Sequence, residues 1–391
     1  MTIDGRRIAV TLAGFCSFVN LYATQSILPL LSHELGAAES DVSLTVSATT
    51  FAISLIAPFT GTVADVLGRK RVITAAMFVL TLPTLLVAFA GSLDGIVLWR
   101  FVQGLLLPPV FAVTIAYVGE EFPPAEATAV TGIYLSASSL GGFLGRFLIG
   151  LLSEVVGWRG AFVGLALLTL TCAVGVSLLL PRERAFMKSA GLAASARHML
   201  RHLADPKLVA TYAVGATVLF IFIATFTYVS FHLAAPPFAL SPSGLGAIFI
   251  VYLTGVVTTL FTGRGVARFG RRGLVLGLIV LWAGGLALTL APSLPAIILG
   301  LALCAGCGFV CQAVATGFVA IRAKEGRSSA VGLYVTFYYV GGSLGGVLPG
   351  VVWRSAGWPG CVALVIGALV LLAFIVEIAW REEVIPGASA R

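Results

Sequence analysis

Gly132-Ile133-Tyr134, Gly141-Gly142, Gly145, Gly150 and Gly157-Trp158 return about 200 residues later as Gly332-Leu333-Tyr334, Gly341-Gly342, Gly345, Gly350 and Gly357-Trp358. The residue types, their order and their spacing are kept. Six apolar segments of the first half recur around them in the second. Glycines spaced in this way let helices approach closely in lipid. Two membrane-embedded copies of one unit leave a solute site between them.

The composition agrees with a membrane setting. Of 391 residues, 59% are hydrophobic and only 10% are charged, with a mean hydropathy of +1.05. A soluble domain carries about a quarter charged residues. Apolar stretches of about 20 residues, each able to cross roughly 30 Å of hydrocarbon as a helix, recur along the chain. Twelve spans are predicted, near residues 8–31, 44–64, 72–91, 96–118, 128–153, 160–180, 208–232, 244–267, 273–291, 296–320, 329–353 and 360–380. The alternating ten-residue strands of a membrane barrel are not seen.

The net charge of +8 is distributed by topology. Arg6, Arg7, Arg69, Lys70, Arg71, the segment Arg182 to Lys207, Arg264, Arg268, Arg271, Arg272, Arg322, Lys324, Arg327, Arg381 and Arg391 fall at one set of alternating span ends; Arg159 and Arg354 fall at the other. This bias places both termini in the cytoplasm and argues against nucleic acid as the partner of the basic residues; the expected location is a cell inner membrane. Residues 1–181 are expected to form an N-terminal six-helix bundle and residues 207–391 a C-terminal one. Residues 182–206 are expected to be a cytoplasmic linker with an amphipathic helix lying on the bilayer surface. Arg6-Arg7 precede a span too long for a cleaved signal, which reads as a retained anchor. No G-x-x-x-x-G-K-[ST] occurs, so ATP is not expected to drive this chain. The six cysteines lie in apolar spans rather than in loops that would pair them. Cys304, Cys307 and Cys311 share one stripe, a pattern that small apolar packing accounts for, and no metal or other cofactor is expected.

Between spans 2 and 3 the chain reads Gly61-Thr62-Val63-Ala64-Asp65-Val66-Leu67-Gly68-Arg69-Lys70-Arg71. A carboxylate at a helix C-terminus is disfavoured by the helix dipole, so Asp65 needs a cationic partner. This G-x-x-A-D-x-x-G-R-K run resembles the signature loop of the major facilitator superfamily. A decayed copy stands at Gly263 to Gly270-Arg271-Arg272, with Ala267 in place of the aspartate. The resemblance covers the whole chain. It implies an all-α fold of twelve transmembrane helices in two pseudo-symmetric six-helix bundles. It also implies that Gly61, Asp65, Gly68, Arg69 and Lys70 form a cytoplasmic gate stabilising the outward-open state. Spans 1, 4, 7 and 10 would line the cavity, spans 2, 5, 8 and 11 the interface, and spans 3, 6, 9 and 12 would face lipid.

Arg100-Phe101-Val102-Gln103-Gly104 in span 4 resembles the R-x-x-Q-G motif of proton-coupled members. A charge within a span should face a cavity or a partner, or snorkel to the interface. In span 5, Tyr134, Ser138, Gly142 and Arg146 succeed one another at i+4 and share a face. Drug exporters of the superfamily carry G-x-x-x-G-P-x-x-G-G in this helix. Gly141-Gly142-Phe143-Leu144-Gly145-Arg146 lacks the proline and is similar to the arabinose-efflux-permease-like branch, as is Thr227 to Phe238. Arg146 has no counterpart in span 11. It either binds an anionic group of the solute or forms a structural pair, with Glu154 as a candidate partner and proton carrier.

The remaining candidate solute contacts are Asn20, Tyr22, Gln25, Tyr228, His232, Gln312, Tyr334 and Tyr338, beside Tyr134, Ser138 and Arg146. Proton coupling is expected at Arg100, Arg146 and Glu154. Gly104, Gly141, Gly142, Gly145, Gly342 and Gly345 are expected to pack helices. These aromatic and amide groups suit broad recognition through ring area and a few hydrogen bonds. The predicted function is export of a small amphipathic or apolar compound, a drug or metabolite, by a monomer exchanging it for protons. Uptake of a sugar-like or organic-anion solute is the alternative, and a membrane sensor or scaffold a second one. No nucleophile–base pair pointing to an enzyme is visible.

Overall fold

The computed structural model describes residues 4–183 and 192–381, so residues 184–191 of the expected linker lie outside the described part. Among the described residues, ten apolar helices are long enough to cross a membrane. Two of them, Pro124–Leu179 and Arg327–Ala379, are double, because the backbone leaves the helical region at Gly157 (φ 72°) and at Gly357 (φ 56°). Only glycine adopts such positive angles without a Cβ clash. The chain folds back at each point: a Cβ on Gly164 would meet Leu152, and Cys361 Sγ lies 3.6 Å from the Pro349 carbonyl. Counting each as two gives the twelve expected spans. Gly68 (φ 93°) and its copy Gly270 (φ 69°) turn the chain in the same way between spans 2 and 3 and between spans 8 and 9.

Span 1 departs from the single helix predicted for residues 8–31. It runs as helix Gly5–Leu21, a turn, a 3-10 segment Gln25–Ile27, and helix Leu28–Leu35. The cause is local. Residues 20–26 hold Asn20, Thr24 and Ser26, residue types that do not favour helix interiors, and Gln25, whose amide is bonded to Arg146 and Thr227. Span 8 is also interrupted, as Pro242–Ile248, Phe249–Val251, Tyr252–Thr259 and a continuation from Thr262.

Each bundle is held together by glycines, and the two do it alike. A Cβ on Gly141 would sit 2.4 Å from the Phe15 carbonyl, and one on Gly145 2.4 Å from the Val19 carbonyl. In the second half the Cβ of Gly341 would overlap the Ala216 carbonyl, and that of Gly345 would stand 2.5 Å from the Phe220 carbonyl. Span 5 thus lies backbone to backbone on span 1, as span 11 does on span 7. Gly104 does the same for span 4 against Thr49 and Ala52 of span 2, while Gly342 meets the side chains of Leu219 and Ile223. Gly142 has no such role, since its nearest atom is Nη1 of Arg146 at 3.5 Å. Hydrocarbon gives little drive for apolar helices to associate, so this contact area holds the spans together.

The bundles meet along span 2 against span 11 and span 5 against span 8. One end of the molecule, here the linker end, carries residues 65–71, 120–126, 181–183 and 322–327; the far end carries residues 36–43, 154–160, 235–243 and 350–358. A helix Leu192–Leu203 leads into span 7, whose first turn is capped by Asp205 through the N–H groups of Lys207 and Leu208.

Gly141→Ala or Gly145→Ala should lower thermal stability in detergent by about 1–3 kcal/mol, through overpacking against backbone that cannot yield. Gly277→Ala, which would meet nothing within 4 Å, should be neutral or mildly stabilising.

Candidate substrate site between the bundles

The break in span 1 frees carbonyls deep in the bundle, and Arg100 takes them. Its Nε donates to Thr45 O at 3.2 Å and its Nη1 to Asn20 O at 2.9 Å. Nη2 donates to Leu21 O, and Nη1 also to Gln103 Oε1. The guanidinium is fully enclosed. It therefore serves as a cationic cap for the C-terminal end of helix Gly5–Leu21, satisfying carbonyls that water would otherwise have to reach. Asn20 belongs to the same network. Its Nδ2 donates to Thr169 Oγ1 and Cys16 O, and its Oδ1 accepts from Thr84, which also accepts from Gln103. Asn20 and Arg100 are thus bonded within the N-terminal bundle. Arg100 does not snorkel, because its acceptors lie inward.

Past the break, Tyr22 and Gln25 turn toward span 5. Gln25 Oε1 accepts from Arg146 Nε at 2.8 Å, and Gln25 Nε2 donates to Thr227 Oγ1 of span 7 at 2.9 Å. Ser26 donates to the Arg146 carbonyl at 2.7 Å. Arg146 Nη1 donates to Gly142 O, while Nη2 is buried with no hydrogen-bond partner. Three rings surround this guanidinium: Tyr22 at 4.5 Å, Phe249 at 4.5 Å and Tyr252 at 4.9 Å from its carbon to the ring centroids. Tyr22 belongs to the first bundle, and Phe249 and Tyr252 to the second. Each desolvated ring contact is worth ~2 kcal/mol and offsets part of the cost of burying the charge. Behind Tyr252 lies an aromatic cluster of Phe222, Phe226, Phe249 and Phe309.

Other tyrosines also meet at the junction. Tyr338 stacks on Tyr334, whose hydroxyl is buried and unpartnered, and meets Tyr339 edge-on. Tyr339 stacks on Phe111 of span 4, with centroids 6.2 Å apart, across the two bundles. Tyr134 donates to the Phe111 carbonyl and packs on Gly14, and Ser138 bonds back to Tyr134 O. Gln312 is half-buried in span 10. Tyr228 and His232 lie toward the far end. Tyr228 donates to Gly346 O at 2.9 Å, and His232 stacks on Trp358.

The family model described as Major Facilitator Superfamily matches residues 10–252 of this sequence. The chain belongs to the major facilitator superfamily. It is 32% identical over 379 residues to the inner membrane transport protein YnfM of Escherichia coli (strain K12), covering 95% of this chain and 88% of that protein. It is 31% identical over 355 residues to an uncharacterized MFS-type transporter, YybF, of Bacillus subtilis (strain 168), covering 90% of this chain and 88% of that protein. Among solved structures, a crystal structure of the nucleoside transporter NupG superimposes with a TM-score of 0.79 at 17% identity, covering 96% of this chain and 100% of that one. That last likeness is one of fold.

In this superfamily transporter the far end is tied across the bundles. Glu154, at the end of span 5, accepts the Ser243 N–H at 2.8 Å, at the start of span 8. Its repeat counterpart Arg354 donates to Ser40 Oγ at 2.6 Å and lies 3.7 Å from Asp41, at the start of span 2. Beneath these ties Gly150 lies on Pro242, Gly246 on the Arg146–Phe147 backbone, Gly346 on Ser47, and Gly350 on Ser40. Glu154 therefore does not pair with Arg146. Eight helical residues separate them by about 12 Å along the axis, out of reach.

At the linker end these ion pairs of the described residues run within bundles. Arg69 pairs with Asp65 at 2.7 Å and with Glu120 at 2.6 Å, Arg7 with Glu126, Arg322 with Asp205, and Arg272 with Glu377. Lys70 N–H donates to Glu183, and a Cβ on Gly68 would run into that carboxylate. Gly61 faces open space.

Thr227, Phe249, Tyr252, Phe111 and Tyr339 were not among the predicted contacts. The available signal was Phe249 and Tyr252 at i, i+3 on span 8, the helix that the duplicated plan sets opposite span 5.

Arg100→Ala should leave the Leu21 carbonyl without a donor, take one donor each from the Asn20 and Thr45 carbonyls, and cost on the order of 3 kcal/mol, seen as a fall in detergent melting temperature; Arg100→Lys should recover part. Removing both far-end ties, Glu154→Ala with Arg354→Ala, should raise the rate at which an impermeant maleimide labels a Ser47→Cys probe several-fold. An unchanged rate would show that the ties do not hold that end closed.

Proposed function

We propose that this superfamily member exports a small amphipathic compound by alternating access, at a site between the bundles around Arg146, Gln25 and Tyr338. The observation that carries this reading is the Arg146 guanidinium enclosed by rings from both bundles. A site whose walls belong to two bodies changes when the bodies move, and that is what alternating access requires. Residues 1–181 and 207–391 are the two moving units, residues 182–206 the linker, and the working form is a monomer. The chain lies in an inner membrane, with the linker end and both termini in the cytoplasm, on the strength of the arginine and lysine bias.

In this reading the far-end ties close the outer side, and the Asp65–Arg69–Glu120 group waits unlatched. When the bundles rock the other way, Gly61, Asp65, Gly68, Arg69 and Lys70 meet the second bundle and close the cytoplasmic side. Inward proton flow is the driver, in keeping with the proton-coupled relatives that the Arg100 motif resembles. Of the three expected coupling residues, Arg100 caps a helix and Glu154 ties the far end, which leaves Arg146 as the one at the solute.

Everted vesicles bearing the protein should accumulate a fluorescent amphipathic dye when their lumen is acidified, and a protonophore should release it. Dye accumulation indifferent to the gradient would remove the antiport reading. Accumulation no greater than in vesicles without the protein would remove export.

A further inference from the structure

We propose that the cargo carries an anionic group, a carboxylate or its equivalent on an aromatic or other flat apolar body, and that this group docks on Arg146. The inference rests on the transport reading above and narrows its substrate class.

The guanidinium is the strongest unspent recognition element between the bundles. Its neighbours are an amide oxygen of Gln25, the carbonyl oxygen of Gly142 and three ring faces. Each is neutral, so the charge is solvated but not neutralised. Two of its three nitrogens are bonded, and Nη2 is enclosed without an acceptor. A guanidinium has five N–H groups in a fixed plane that match the two oxygens of a carboxylate. In an environment shielded from water, an anion gains far more from such a donor than a neutral carbonyl does. Arg100 provides the internal contrast. It is as deeply buried, yet the protein's own oxygens serve all three of its nitrogens.

The surroundings suggest the rest of the cargo. Tyr22, Phe249 and Tyr252 present ring faces to the guanidinium, a setting for a flat apolar body with one anionic end. The cage is also divided between the bundles. Gln25 and Tyr22 move with Arg146, whereas Thr227, Phe249 and Tyr252 move with the other bundle. Separation of the far end strips two rings from the charge. The same motion would release an anion outward into water.

The probe pair is 1-naphthoate and 1-naphthamide, equal in shape and different in charge. Binding to the purified full chain in detergent is read by thermal stabilisation. Naphthoate should bind about tenfold more tightly than the amide, the difference expected between charge-assisted and neutral hydrogen bonds. Arg146→Gln should abolish that preference and Arg146→Lys should keep part of it. Equal binding of the two probes to the unmodified protein, binding of neither, or a preference that survives Arg146→Gln would each overturn the proposal. The comparison on the unmodified protein stands even if the variants fold poorly. Proteoliposome uptake separates the two readings. If a neutral or cationic dye is transported while naphthoate has no advantage, the anion assignment falls and the transport reading stands. If neither dye nor naphthoate moves, both fall.

Discussion

A peptide carbonyl inside a membrane has no water to turn to, and from that constraint the centre of this transporter follows. Span 1 breaks after Leu21, and the break is tolerable because Arg100 reaches across from span 4 to the carbonyls it frees. Without the break, Tyr22 and Gln25 would continue the helical register. With it, they turn to meet Arg146. One buried arginine is used to shape the backbone so that a second can stand at the junction. Gln103, Thr84, Asn20 and Thr169 brace the first arginine in a closed set of hydrogen bonds.

The duplication explains the scaffold, and departures from it mark the chemistry. Glycine ridges seat span 5 on span 1 and span 11 on span 7 in the same register. The far-end ties are also repeat-related, Glu154 answering to Arg354, but their charges are opposite. At Arg146 the correspondence fails completely, for the matching position is Gly346, packed on Ser47. A glycine there closes an interface, and an arginine there places a charge at the junction.

Much of the fold was legible in the sequence, because helix length, glycine spacing and the arginine and lysine bias are local or periodic signals. The hairpins at Gly157 and Gly357 were visible as the last glycines of the repeated pattern. The site was legible only in part. Arg146, Gln25, Tyr22 and Tyr338 stood out as polar or aromatic residues within spans, and they gather at the junction. Asn20 and Arg100 stood out for the same reason and are bonded within one bundle. Composition cannot separate a polar group that serves the backbone from one kept free, since the difference lies in partners distant in sequence. Glu154 shows the same limit: spacing alone suggested Arg146, and the donor it accepts from is the Ser243 N–H at the start of span 8.

The amide of Gln25 has a consequence for how readily the molecule changes shape. It is bonded to Arg146 on its own side and to Thr227 on the other, so parting the bundles breaks a single neutral hydrogen bond there. Such a bond contributes about 1 kcal/mol. The exposed Arg354–Asp41 pair adds no more than that. The Phe249 and Tyr252 faces on Arg146, at ~2 kcal/mol each, outweigh both, so the guanidinium itself is the chief fastening between the bundles at this depth.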